Sequence, residues 1–362
     1  MIKPIFTLLL ATLFTAHGAA PKTYEPTVDK TGYHLFNPTP DKYLRELTID
    51  GPGTTESPYT VDAGHFQVEM TFFNYSTFHE KFDPLSESAR QEIESVRELA
   101  GLEPGGPSSG LYRFEQWSFA PLNLKVGLLN QLDLQVILEP FNTVYEREYY
   151  EYTDVQENEL GELVNVQVKN QVIVKRHGYG DTYLRLKWNL WGNDSGRTAM
   201  ALTPWVKFPT SAGIANPDVR FAAKTNGLTG GINNGVEGGI VLPFEVSLPW
   251  DFYIGLTPRV SLMRHVLPRQ DENGIPFDVP KRYHFEFGNS VALSRDFSDY
   301  FSAYFEFFSS VSTERNSEWI GSTGGGVTFW ITDDLQLFAG MNYGLTRAAD
   351  QWSSSVGMAW RF

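Results

Sequence analysis

Cysteine is absent from all 362 residues. That excludes a disulfide framework, a zinc–thiolate site and a cysteine nucleophile. Beyond the amino terminus no uninterrupted apolar run approaches the ~20 residues that a transmembrane helix needs. A hydrophobic fraction of 41% and a mean hydropathy of −0.27 also argue against a helical membrane protein. Basic residues are scarce: 29 Lys and Arg stand against 43 Asp and Glu, a formal charge of −14, which argues against nucleic acid as a partner. Histidine is thinly spread. Beyond His17, which lies in the amino-terminal stretch, His34, His65, His79, His177, His265 and His284 include no pair at metal-ligand spacing, so no metal or cofactor is expected.

What is abundant is aromatic and glycine content. Aromatics reach 14% and glycine numbers 32, a pairing that suits strands broken by turns. Residues 1–20 carry Lys3, an apolar stretch from Ile5 to Phe14 and small residues at Ala16-His17-Gly18 or Gly18-Ala19-Ala20. That order reads as an export signal. Residues 21–64 are polar and proline-rich without a sustained period, and are expected to form a periplasmic or lumenal segment.

From His65 the text alternates at period two. Twelve alternating segments follow: 65–75, 111–128, 132–146, 179–191, 197–208, 235–248, 251–265, 281–295, 299–309, 318–331, 335–344 and 351–362. Short connections alternate with mostly longer, polar ones, the arrangement of a barrel with tight periplasmic turns and long outer loops. The expected fold is therefore all-β: a transmembrane antiparallel up-and-down barrel of about twelve strands over 65–362. An even strand count puts both termini on the periplasmic side. A soluble sandwich or lipocalin-like barrel shares the period but buries its apolar face. Strand number and aromatics near strand ends, such as Trp250, Phe252, Tyr343 and Trp352, favour the membrane.

One face collects Phe66, Val68, Met70, Leu184, Leu186, Trp188, Phe301, Phe305, Phe307, Val356, Met358 and Trp360. Glu69, Glu115, Lys125, Asp133, Arg185, Lys187, Lys207, Glu237, Arg259, Glu286 and Glu306 are assigned to a hydrated lumen of mixed sign, where they are candidates for contact with a solute. Such charges must avoid mid-bilayer lipid, where a basic side chain costs about 2–4 kcal/mol. A helix is expected from Pro84 to Leu99, capped by Ser86, in the first outer loop. The Gly324-Gly325-Gly326 run lacks a following Lys-Ser/Thr, so it reads as a relief of crowding in a strand.

The stretch Thr55-Glu56-Ser57-Pro58, Thr60-Val61, Gly64, Gln67 and Glu69 resembles the signature of a bacterial outer-membrane family labelled "transporter" or phenol-degradation MetA-pathway protein. That signature runs D-R-P-D-x-T-E-S-P-x-T-V-x-x-G-x-x-Q-x-E. Gly51 and Gly53 stand where it has Arg and Asp, so no role of those two residues carries over. The resemblance, with weaker echoes at Gly178–Asp181, Leu202–Thr210 and Val236–Phe244, covers most of 45–362 and implies a Gram-negative outer-membrane barrel with a transport role.

The closing Val356-Gly357-Met358-Ala359-Trp360-Arg361-Phe362 reads as the last strand, paired with the first near Phe66 to Phe72. Its Trp360 and Phe362 resemble the carboxyl-terminal signal read by outer-membrane assembly machinery. The expected partners are that machinery, membrane lipid and lipopolysaccharide, and a small solute. The expected function is passive passage of small apolar or aromatic solutes. Two other classes stand beside it: a lipid-acting enzyme using His284 or His265 with Ser261 or Ser290, and a barrel that displays acidic loops. Residues 45–61 are expected to plug the lumen or its periplasmic mouth.

Overall fold

The computed structural model describes residues 28–211, 235–264, 269–270, 276–277, 283–314 and 317–362; residues 1–20 and His265 lie outside them. The strands are β1 Phe66–Phe82; β2 Ser109–Phe119 with Leu122–Leu129; β3 Leu132–Leu138 with Phe141–Glu157; β4 Leu163–Gly178 with Thr182–Trp191; β5 Thr198–Phe208; and β6 Glu237–Val241 with Phe244–Leu248. They continue with β7 Phe252–Leu256 and Arg259–Met263; β8 His284–Ser298; β9 Phe301–Ser312; β10 Ile320–Thr332; β11 Leu335–Gly344; and β12 Trp352–Arg361. Each pairs antiparallel with the next, and β12 pairs back with β1 from Gln67↔Arg361 to Thr77↔Trp352. The Phe66 and Phe362 amides and carbonyls exchange two hydrogen bonds, of 2.9 and 3.0 Å, at the seam. A closed barrel leaves no open edge, which is what hydrocarbon surroundings demand.

The burial pattern is inverted relative to a soluble protein. Trp188, Phe305, Val356 and Trp360 are exposed, whereas Arg185, Lys187, Lys207 and Glu306 are at most 1% exposed. Apolar side chains face outward and charges inward, as in a lipid-embedded barrel. Along β1 the outward side chains run from Phe66 to Tyr75, about 30 Å of strand, which at a tilt near 40° spans the lipid band. The chain is an outer-membrane β-barrel, with short turns at one rim and longer connections at the other.

Four adjacent strands change face part-way. Inward residues are odd-numbered near the periplasmic rim and even-numbered beyond the break: Glu69 then Ser76 and Phe78 in β1, Lys125 then Ser118 and Phe114 in β2, Asp133 then Asn142 and Val144 in β3, Arg185 then Arg176 in β4. Each change sits at an irregularity: a bulge at Phe72, Ala120-Pro121 with Ala120 at φ 53, Glu139-Pro140, and Tyr179–Asp181. An extra residue at such a point flips every side chain beyond it.

Two expectations are corrected here. The segment 147–178 is not a loop: β3 and β4 run past the lipid band as a tall hairpin, paired from Phe141–Glu157 to Leu163–Gly178. On one arm Val164, Val166 and Val168 alternate with Asn165, Gln167 and Lys169; the partner arm, Glu146 to Glu157, is too charged to show the period. Glu115 does not face the lumen. The flip at Ala120-Pro121 turns it outward beside Trp117 and Phe119, where it accepts hydrogen bonds from Tyr75 Oη (2.9 Å) and Arg113 Nη2 (2.8 Å).

The first outer connection carries helix α1, Glu87–Leu99, whose N-cap Ser86 Oγ accepts from the Ala89 amide at 3.2 Å. Arg97 anchors it to the hairpin through Asn165 Oδ1 (3.0 Å) and the Thr153 carbonyl (3.1 Å).

Candidate functional site: the occupied lumen

Residues 45–62 thread the barrel interior and bond to nearly every part of its wall. The Leu47 and Thr48 carbonyls accept from Gln336 Nε2 of β11 (3.0 Å) and Gln67 Nε2 of β1 (2.8 Å). Asp50 takes Lys125 Nζ of β2 at 2.7 Å and Lys187 Nζ of β4 at 2.5 Å. At the far wall the Thr54 and Thr55 amides donate to the Glu306 carboxylate of β9 at 2.9 and 3.1 Å, and the Thr54 carbonyl accepts from Arg259 Nη2 of β7 at 2.6 Å. The chain then returns. Glu56 pairs with Arg185, and its amide donates to the Thr257 hydroxyl oxygen (3.0 Å). The Ser57 and Pro58 carbonyls accept from Lys187 (2.8 Å) and Asn189 (2.9 Å), and the Val61 amide donates to Asp133 (3.0 Å).

Close approach of this chain needs missing side chains on the wall. A Cβ on Gly127 would overlap the Asp62 carbonyl. One on Gly340 would lie 2.9 Å from both Pro52 Cγ and Tyr304 Oη. One on Gly326 would fall 2.6 Å from the Tyr304 ring, which accounts for that glycine of the Gly324–Gly326 run as relief of crowding.

The periplasmic end is latched by charge. Asp62, 1% exposed, receives Lys30 Nζ (3.2 Å) and the Arg45 amide (2.9 Å). Arg45 Nη1 and Lys30 Nζ also reach Asp194 in the β4–β5 turn, at 2.9 and 2.8 Å. Burial raises the Asp194 carboxyl, but Arg45, Lys30 and the Asn130 amide outweigh it and hold it below its ordinary value. Arg361 donates to the Arg45 carbonyl at 2.6 Å and pairs with Asp334 at 2.7 Å.

Of the eleven charged candidates, the structure gathers seven around residues 45–62: Glu69, Lys125, Asp133, Arg185, Lys187, Arg259 and Glu306. Glu69 takes the Asp50 amide and pairs with Lys125. Lys207 and Glu237 form a separate inward group farther out, with Lys207 2.6 Å from Glu237 and 3.2 Å from Asp181. Glu286 faces inward opposite Ser261, and Glu115 alone faces outward. The motif residues Thr55, Glu56, Ser57 and Pro58 are the far half of the threaded chain; the Gly64 amide bonds to Gly127 at 2.8 Å. Sequence reasoning missed Asp50, the hub for two lysines, along with Thr257, Asn189, Gln336 and Asn193, whose Oδ1 accepts from the Thr60 amide at 3.1 Å. Asp50 was legible as the sole acid of an Asp-Gly-Pro-Gly turn ahead of the motif; the neutral partners carried no signal.

The threaded chain does not fill the lumen. Beside it, toward β6–β11, a cavity of about 1070 Å³ is bordered by Ile49, Tyr59, Tyr253, Tyr304, Trp330 and Glu245. Two apolar groups also face inward: Phe78, Tyr112, Phe114 and Val144 toward the outer end, and Tyr183, Trp205 and Val241 with Ile137 and Met263. Ser290 lies opposite Phe308, six residues or about 20 Å of strand from His284, whereas Ser261 lies opposite Glu286, diagonally across the strands from His284.

No family model and no curated protein matches the chain. Among solved structures it is similar to NanC porin (9% identity, TM-score 0.38, covering 80% of this chain and 98% of that one). It is also similar to an outer membrane channel from Pseudomonas putida F1 (11%, 0.46, 87% and 100%) and to the CymD monoaromatic hydrocarbon channel (9%, 0.40, 82% and 88%).

Proposed function

We propose that this barrel passes small, uncharged, apolar or aromatic solutes passively, along a narrow route beside residues 45–62, and that this segment restricts the route. The observation that carries the reading is the neutralisation of the lumen. Asp50, Glu56 and the backbone of 45–62 bind seven wall charges, so that side of the interior offers a solute few unpaired ions. What is left beside it is bordered by Tyr59, Tyr253, Tyr304 and Trp330 together with acids such as Glu46, Glu245, Asp251 and Asp296. Aromatic rings set among hydrogen-bonding groups suit small ring compounds that carry a hydroxyl. The resemblance of the Thr55–Glu69 motif to a phenol-degradation family points the same way. Twelve strands leave a bore between a side-chain-filled eight-stranded barrel and an open porin of sixteen or more.

Planar-bilayer recording tests the reading. The intact protein should conduct weakly, phenol should reduce that current, and deletion of 45–62 should raise it. Unchanged conductance after the deletion sinks the restricting role. A current that phenol leaves untouched sinks the solute class.

A further inference from the structure

The outward face at the outer end of β1–β4 carries a patch that the channel reading does not use. The strand registers arrange it in rows. One row is aromatic: Tyr75 opposite Trp117, whose rings lie 4.5 Å apart, with Trp352 5.3 Å from Tyr75. Such rings mark the level of the lipid headgroups. The next row out places Thr77, Glu115, Tyr145 and Lys175 side by side. The one beyond places His79, Arg113 and Arg147 side by side.

Arg113 and Arg147 are directly cross-strand and each nearly half-exposed. Like charges directly opposite destabilise a sheet unless an anion lies between them. Glu115 supplies one such charge, 2.8 Å from Arg113 and 3.8 Å from Arg147, and is held from below by Tyr75 Oη. Arg147 is further fixed over the Tyr145 ring at 4.3 Å. One carboxylate against Arg113, Arg147 and Lys175 leaves two positive charges. They face lipid at headgroup height, on a chain whose overall charge is −14.

We infer that Arg113, Arg147 and Lys175 bind a phosphate of lipid A in the outer leaflet. Two guanidinium forks on neighbouring strands, oriented by Glu115 and Tyr145, match the geometry of bidentate phosphate recognition. The acyl chains of that lipid would lie along the outward apolar side chains below, Phe73, Phe119 and Phe141. Glu115 and Tyr145 are positioning residues for the two arginines. The inference is independent of what passes through the lumen.

The test uses the intact barrel in phosphatidylethanolamine vesicles containing lipid A, followed by gentle extraction and native mass spectrometry of the lipid retained per barrel. The wild type should retain lipid A, and the double variant Arg113→Gln/Arg147→Gln should retain about tenfold less, the size expected when two half-exposed charge pairs are lost. Should that double variant lose its heat-modifiable migration, Arg147→Gln alone replaces it and should give a several-fold loss. Lipid A stripped of phosphate should not be retained. Equal retention by the variant, equal retention of the dephosphorylated lipid, or equal retention of phosphatidylglycerol would each overturn the assignment.

Discussion

The Glu56–Arg185 pair separates a segment that restricts the lumen from one that only stiffens the wall. Their side chains are 2% and 0% exposed, and Arg185 holds no other carboxylate among the ion pairs of the described residues. Removing one member of a buried pair costs about 3–5 kcal/mol, chiefly because the survivor is left buried without a counter-charge. At 1.4 kcal/mol per tenfold, that changes the ratio of docked to undocked segment by about 10² to 4 × 10³. Glu56→Gln and Arg185→Gln should therefore each raise the time-averaged conductance in planar bilayers. The combination Glu56→Gln/Arg185→Met, which leaves no orphaned charge, should return most of the way to wild type. Thermal unfolding of the barrel, read by heat-modifiable migration, should move much less than the conductance, since β1–β12 keep their ladders. If both single variants unfold earlier but conduct as the wild type does, the pair is structural and the restricting role is refuted.

Four further expectations follow from particular contacts. Gly127→Val should place side-chain atoms where the Asp62 carbonyl lies, and should raise protease sensitivity around residues 45–62 while the barrel stays folded. Asp194 has a carboxyl held below its ordinary value, so its contribution is present above the unfolded value, about 3.9, and is lost as pH falls through its lower folded value. Acid should loosen the latch to Lys30 and Arg45, raising conductance, and Asp194→Asn should show that state at neutral pH. Asp350, in the connection after β11, is pushed up to about 7 by burial, against a hydrogen bond from Ser76 that lowers it. The folded state there holds the extra proton, so stability falls as pH rises from about 4 to 7; amide exchange at Ala348–Gln351 should quicken over that range beyond its intrinsic rate, and Asp350→Asn should remove the excess. Ser86→Ala deletes the cap of α1 and should cost that helix about 1 kcal/mol, visible as faster exchange at Ala89 and Arg90.

Period-two alternation was enough to place Phe66, Val68 and Trp360 outward and Gln67, Glu69 and Arg361 inward, because each strand meets lipid on one side and the lumen on the other. It failed where the period is interrupted. Glu115 and Lys125 share parity in the sequence, yet Ala120, at φ 53, with Pro121 adds a residue that puts them on opposite faces. The tall part of the β3–β4 hairpin was legible on one arm, where Val164, Val166 and Val168 alternate with Asn165, Gln167 and Lys169, and obscured on the other, where outside lipid the Glu-rich stretch 146–157 needs no apolar face. The threaded segment is aperiodic, since its partners are set by the wall and not by its own repeat. Thr54 bonds to Glu306, 252 residues away, and Leu47 to Gln336, 289 away. Separations of that size leave no local trace.

The inverted barrel has a problem that a soluble domain solves with a hydrophobic core. Lys125, Lys187, Arg185, Arg259, Asp133 and Glu306 are forced inward by the lipid outside, and a twelve-stranded bore is too wide for them all to meet across it. The wall pairs some of its own charges, as Lys207 does with Glu237. Near the periplasmic end it is residues 45–62 that supply what is missing: Asp50 between two lysines, Glu56 for Arg185, and peptide groups for Glu306, Asp133 and Arg259. The segment thereby acts as a polar core. A core of hydrogen bonds and ion pairs differs from an apolar one in that water can replace it part by part, so its loss leaves the barrel standing with its interior open. That difference is why the substitutions at Glu56 and Gly127 are expected to change passage before they change fold.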